Sequence, residues 1–192
     1  MQLSSTLKIC LVGDMSVGKT CVVNRLVKDK FTEEEKATIA ASFVTTTLTN
    51  NVTNKKVDVS IWAGQEKYRS MVNMYYRGSS GGVIVFDLTS KNSFLHVRSW
   101  YKDLKEAVPD VAVALIGNKS DASNFRVIQY DEAKALAEEL KIDIFYEVSA
   151  KTGDNIKVVF EDLLKNMKPR EKNEANYLEH HQLEDKQDQG CC

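Results

Sequence analysis

The sequence predicts a three-layer α/β sandwich on a six-stranded sheet, parallel except for one antiparallel edge strand and covered by helices on both faces. Three observations point there. Short apolar runs alternate with segments of helical period, two early runs form a hairpin, and the first run leads through a glycine-rich turn into a helix.

Leu7 to Val12 is apolar and β-branched and ends at Gly13. Phe43 to Thr49 and Val57 to Trp62 flank a turn at Asn50, Asn51 and Asn54 and read as the hairpin. Val83 to Phe86, Val111 to Ile116 and Ile144 to Val148 complete the strands. Phe94, Val97, Tyr101, Leu104 and Val108 recur at spacings of three and four, as do Ala133, Leu136, Ala137 and Leu140. So do Ile156, Val159, Phe160, Leu163, Leu164 and Met167. The pattern stops at Pro169. We therefore divide the chain into a folded domain at 1–169 and a disordered polar tail at 170–192. In such sandwiches ligands bind beyond the C-terminal ends of the strands.

At 192 residues, 43% hydrophobic and 28% charged, the chain suits one globular domain that needs no disulfide staples. A net charge of −1 argues against a nucleic-acid partner held by bulk charge. No apolar run approaches the roughly 18 residues of a membrane span, and the N-terminus does not read as a signal peptide, so secretion is not expected. Cys10 and Cys21 lie in apolar segments and read as reduced core thiols, whereas Cys191 and Cys192 are the last two residues.

Gly13-Asp14-Met15-Ser16-Val17-Gly18-Lys19-Thr20 fits G-x-x-x-x-G-K-[ST] between a strand and a helix. Glycines let the backbone wrap a phosphate chain, and the N–H groups of Val17, Gly18, Lys19 and Thr20 converge at a helix N-terminus, where anions are stabilised. Lys19 would bridge the β- and γ-phosphates, and the Thr20 hydroxyl would ligate Mg²⁺. The plainer reading, a glycine-rich strand–helix turn, does not account for Lys19 and Thr20. Two later segments, Asn118-Lys119-Ser120-Asp121 and Ser149-Ala150-Lys151, each follow a predicted strand at its ligand-facing end. Asn118–Asp121 alone would pass for an exposed loop; the order of all three motifs is specific.

In these motifs the chain resembles the Ras-superfamily small GTPases of P-loop fold, and among them the Rab family, over about residues 6–168 and at the C-terminus. The resemblance implies a GTP/GDP site made of Ser16, Val17, Gly18, Lys19, Thr20, Cys21, Phe31, Thr38, Gly64, Asn118, Lys119, Asp121, Ser149, Ala150 and Lys151, with Mg²⁺ on Thr20 and Thr38. By the same resemblance the Asp121 carboxylate takes the guanine N1–H and amino group, a donor pair adenine lacks. Asn118 ties the base loop to the P-loop, the Lys119 stem lies along the base, and the Ala150 N–H meets O6. Phe31 packs against the base, Gly64 senses the γ-phosphate, and Gln65 orients the attacking water. Thr38 to Phe43 and Ala63 to Ser70 look like the two switches, and Met74 to Gly78 and Phe86 to Thr89 are also Rab-like. The small residues Ala40-Ala41-Ser42 lean towards the endosomal group. For the aromatics Trp62, Tyr68, Tyr75 and Tyr76 we expect partial burial, with some of their surface read by effectors.

Cys191-Cys192 resembles the double-cysteine ending that Rabs geranylgeranylate. The tail carries Arg170, Lys172 and Lys186 against Glu171, Glu174, Glu179, Glu184, Asp185 and Asp188, so it offers no polybasic second anchor, and stable attachment would need lipid on both thiols. It would act as a flexible tether of about 25 Å r.m.s. span. The resemblance implies a monomeric switch in vesicle and protein transport, on the cytoplasmic face of an intracellular membrane, endosomal by the leaning above, and cycling with the cytosol. Its partners would be exchange factors, GTPase-activating proteins, an escort protein, GDI and effectors.

One departure bears on chemistry. The family's second switch follows Trp-Asp-Thr-Ala-Gly-Gln-Glu, but this chain reads Trp62-Ala63-Gly64-Gln65-Glu66. The absent aspartate helps hold Mg²⁺ in P-loop NTPases. Losing two residues shortens an extended chain by about 6–7 Å. Either the strand keeps its register and draws Gly64 and Gln65 away from the γ-phosphate, or it slips by two residues. Neither restores a carboxylate, and Asp58, three residues before Ile61 and on the opposite face, substitutes poorly. Met15 near the γ-phosphate and Ala40 in place of a glycine point the same way. Guanine nucleotide binding should survive, with Mg²⁺ affinity and hydrolysis weakened; a module that binds nucleotide without turnover is the alternative.

Overall fold

The computed structural model describes residues 6–32, 42–50, 53–63 and 75–168. Its strands are β1 (Leu7–Val12), β2 (Ser42–Asn50), β3 (Lys55–Ala63), β4 (Gly81–Asp87), β5 (Ala112–Asn118) and β6 (Ile144–Glu147). Its α-helices are α1 (Lys19–Lys28), α2 (Lys91–Leu95), α3 (Val97–Ala107), α4 (Tyr130–Glu139) and α5 (Ile156–Asn166). The strands form one sheet in the order β2-β3-β1-β4-β5-β6. The β2–β3 pair is antiparallel and every other pair parallel, as the sequence predicts.

The central strands read as unbroken apolar runs because both faces are covered. On one face Ile9, Leu11, Val83, Val85 and Ile116 pack against Val22 and Val23 of α1 and Val159, Phe160 and Leu163 of α5. On the other, Cys10, Val12, Ile84, Phe86 and Leu115 meet Phe94, Val97, Trp100 and Leu104 of α2 and α3 and Leu136 of α4. Burying each such side chain is worth about 1.5–3 kcal/mol. Gly82 of β4 lets α3 come close: a Cβ there would stand 2.5 Å from Leu104 Cδ2. Cys10 is buried and Cys21 half-buried, neither in a disulfide, and burial pushes the Cys10 pKa up.

Two expectations shift. The helical period from Phe94 to Val108 is two helices, not one. The backbone flattens at His96 (φ −79°, ψ −9°), which ends α2 and begins α3. The buried stripe of α3 is Val97, Trp100 and Leu104, and Tyr101 is half-buried. Strand β5 also runs on to Asn118, so the base-loop motif begins inside the sheet. Among the described residues no helix is long and apolar enough to cross a membrane.

Leu104 is fully buried and Leu95 is 54% exposed. Leu104→Ala should therefore cost about 2–5 kcal/mol in urea unfolding, and Leu95→Ala less than about 0.5 kcal/mol. Equal losses would contradict the orientation of α2 and α3.

Candidate functional site

The site forms beyond the C-terminal ends of β1, β5 and β6. Residues 13–18 turn the chain from β1 into α1 through backbone conformations that side chains resist. Gly13 has φ +140°, and a Cβ on it would stand 2.1 Å from the Val85 carbonyl oxygen of β4. Gly18 has φ +95°, and a Cβ there would stand 2.4 Å from Asn118 Nδ2. Ser16 is also left-handed (φ +64°) and exposed, while Val17 is buried beneath the loop. Gly18 caps α1 without a side chain, and the first turn of α1, which contains Lys19, Thr20 and Cys21, holds no acidic residue. The positive end of the helix is thus not neutralised by an acid of its own.

Lys19 is buried, and its Nζ donates to the carbonyls of Gly13 (2.8 Å) and Asp14 (2.6 Å). The ammonium is folded over the loop it would serve. Thr20 and Cys21 are half-buried in the same turn.

Asn118 joins the loops. Its Nδ2 donates to the Val17 carbonyl at 2.9 Å, and its Oδ1 accepts from the Ala150 N–H at 3.1 Å. The expected tie between base loop and P-loop is present, and the Ala150 N–H is directed to Asn118. Asp121 is exposed, and its Oδ1 accepts from Ser149 Oγ at 2.6 Å, which fixes the carboxylate plane. Ser149 Oγ also accepts from the Thr152 N–H at 3.0 Å. The Lys119 backbone is left-handed (φ +68°), and its ammonium pairs with Asp87 Oδ2 at 2.6 Å. Phe31 is half-buried against the core cluster that includes α1 and α5. Thr38, Gly64, Gln65, Cys191 and Cys192 lie outside the described residues, as do the proposed tail and much of both switches.

Three contacts were not anticipated from the sequence. Arg25 on α1 donates from Nε to the Ala150 carbonyl (2.9 Å) and from Nη2 to the Lys151 carbonyl (2.7 Å). It thus clamps the segment after β6 from behind. Arg25 lies three residues after buried Val22, on the core side of α1, and a basic residue there was the available signal. Asp87 holds Lys119 while accepting from the Thr89 N–H (2.8 Å) and Oγ1 (2.7 Å). Asp14 is bonded by His96 and Trp100 across 82 and 86 residues, which no sequence pattern reveals.

At the edge of the site, β1 and β3 pair without interruption through Leu11↔Ala63. Ile61 and Ala63 are buried in the core. Trp62 points to the other face, stacked on Phe43 (centroids 5.0 Å apart) with the Lys8 ammonium 4.6 Å from its ring centroid. Burial lowers the Lys8 pKa. Asp58 is turned away to accept from Thr47 Oγ1 at 2.9 Å. The end of β3 therefore presents no carboxylate. Among the described residues no group of three or more His, Cys, Asp or Glu could hold a metal.

This sheet order, with a lysine-bearing anion loop tied to a base loop by one carboxamide, defines the small G-protein class of P-loop NTPases. A family model described as the Ras family matches residues 8–169, and the chain belongs to that family. It is a small GTPase by family.

Cutting the clamp should loosen the base side alone. Arg25→Gln should raise hydrogen exchange in a peptide spanning 148–154 by about tenfold or more, the scale of a lost charge-assisted bond. Peptides from β4 should keep their protection, and unchanged exchange at 148–154 would count against the clamp.

Proposed function

We propose that the chain is a Rab-like small GTPase that binds GTP and GDP, acts as a membrane-attached switch in vesicle trafficking, and hydrolyses GTP slowly. The observation that carries the nucleotide reading is the Asn118 bridge, which sets Asp121 and the P-loop in one frame. The phosphate chain would lie in the turn at 13–18 with its charge met by Lys19 and the amides opening α1. Asp121 would take the guanine edge, with Ser149 holding the carboxylate and Arg25 holding Ala150 and Lys151. Phosphoryl transfer asks little covalent chemistry of the protein, so catalysis is positioning and charge stabilisation.

Mg²⁺, when bound, neutralises charge developing between the β- and γ-phosphates. Thr20 would supply a hydroxyl and Thr38 a second, a sparse protein set that suits an ion held mostly by phosphates and water. Gly64 would sense the γ-phosphate and Gln65 orient the attacking water. Slow hydrolysis rests on the end of β3, where Ile61, Trp62 and Ala63 stand without a carboxylate and Asp58 is engaged elsewhere. The same observation favours the second reading, a module that holds nucleotide and recruits partners without turnover.

Membrane attachment through geranylgeranyl groups on Cys191 and Cys192, delivery by an escort protein, extraction by GDI, and control by exchange factors and GTPase-activating proteins rest on the sequence resemblance. So does the endosomal leaning. The exposed ring of Phe43, stacked on Trp62 beside Tyr75, supplies an aromatic surface that effectors could read.

Two measurements test this reading. Asp121→Asn replaces an acceptor with an amide, so affinity should move from guanine to xanthine nucleotides by about a hundredfold or more. Retained guanine preference would remove Asp121 from the base site. In single turnover with saturating Mg²⁺, GTP should be hydrolysed more slowly than about 3 × 10⁻⁴ s⁻¹, the low end for an intrinsic Ras-type rate. Inserting Asp-Thr between Trp62 and Ala63 should raise that rate by about tenfold or more. Fast turnover without the insertion would refute the weakened switch, and no turnover even with it would favour the binding module.

A further inference from the structure

We propose that Asp14, His96 and Trp100 form a positioning triad that seats Lys19 for the phosphate chain, so that helix α3 governs phosphate affinity from outside the nucleotide site. This rests on the guanine-nucleotide reading above.

The Asp14 carboxylate is held at both oxygens. Oδ1 accepts from Trp100 Nε1–H at 2.8 Å, and Oδ2 lies 2.6 Å from His96 Nδ1. His96 and Trp100 are one helical turn apart, and the Trp100 N–H bonds back to the His96 carbonyl at 3.1 Å, so they present their ring nitrogens from one face. Trp100 is 5% exposed and packed in the α3 core, so its indole N–H is a fixed donor. The break between α2 and α3 falls at His96, which places that ring at the loop.

The backbone of Asp14 links this grip to the phosphate site. Its carbonyl and that of Gly13 both accept from the Lys19 ammonium. Rotating the Asp14 residue moves one of those acceptors and hence the place from which Lys19 reaches a phosphate. Phosphate affinity thus depends on residues that touch no nucleotide.

The test compares GDP with GMP, because Lys19 would meet the β-phosphate that GMP lacks. Dissociation constants for both are measured by calorimetry on the full-length protein with Mg²⁺ present. Trp100→Phe keeps an aromatic ring, smaller than the indole, and removes the N–H. It should weaken GDP binding by about three- to tenfold, the range of one ordinary net hydrogen bond, and leave GMP within about twofold. Asp14→Ala should have the larger GDP effect, and adding Trp100→Phe to it should change little more. Asp14→Asn keeps an acceptor for the indole and should recover most of the loss. The ³¹P shift of bound GDP should move at the β-phosphate in both Asp14→Ala and Trp100→Phe. Equal losses for GDP and GMP would reduce the triad to a structural brace. Unchanged GDP affinity in Asp14→Ala, or additive losses in the double variant, would overturn it. Failure of the wild-type protein to prefer GDP over ADP would instead defeat the nucleotide reading itself, a separate result.

Discussion

The carboxamide of Asn118 crosses directly over the Cα of Gly18, and the rest of the site is arranged around that crossing. A buried amide costs free energy unless both its ends find partners. Here they do: the donor end meets the Val17 carbonyl and the acceptor end the Ala150 N–H. The crossing requires Gly18, since a Cβ would stand 2.4 Å from Nδ2. Loops that leave β1, β5 and β6 are thereby locked to one another through a single planar group. Parallel strands make this possible, because their C-terminal ends all open on the same side of the sheet.

The strands were legible because their runs are apolar on both faces, which only a doubly covered sheet explains. Helices α4 and α5 were legible from their stripes. The break at His96 was not, because Phe94, Val97 and Leu104 keep a helical spacing across it. The three loop motifs were legible as motifs, since each is short and follows a strand. Their mutual tie through Asn118 was read only through the family resemblance. Arg25, Asp87 and the Asp14 contacts escaped because they join residues far apart in sequence through backbone carbonyls or single carboxylates, and such pairs leave no local pattern. Positions 38, 64 and 65, where the sequence places the γ-phosphate machinery, are not among the described residues.

The end of β3 illustrates how a strand can keep its pairing without a carboxylate at its end. Pairing with β1 runs through Ala63, and the alternation of faces runs with it: Val59, Ile61 and Ala63 enter one core and Trp62 turns to the other face, half-buried against Phe43 and Tyr75. Hydrophobic burial rewards that alternation at every step, and a strand that keeps its register or slips by two residues satisfies it equally. A water-steadying carboxylate contributes nothing to that pairing. The pairing is therefore insensitive to its absence, and under the proposed reading hydrolysis and metal affinity would register it.

Helix α1 carries the anion-binding turn at its first residue and the Arg25 clamp near its last. From Gly18 to Arg25 it rises about 10 Å along its axis at 1.5 Å per residue. One rigid rod therefore gauges the span between the two ends of whatever ligand the site holds. Under the proposed reading a nucleotide would be measured rather than wrapped: a longer or shorter spacer between base and phosphates would meet a fixed calliper, not a loop that can adjust. Such a calliper would open at its far jaw, where half-buried Arg25 pairs with exposed Asp29, about 10 Å along the helix from the glycine turn.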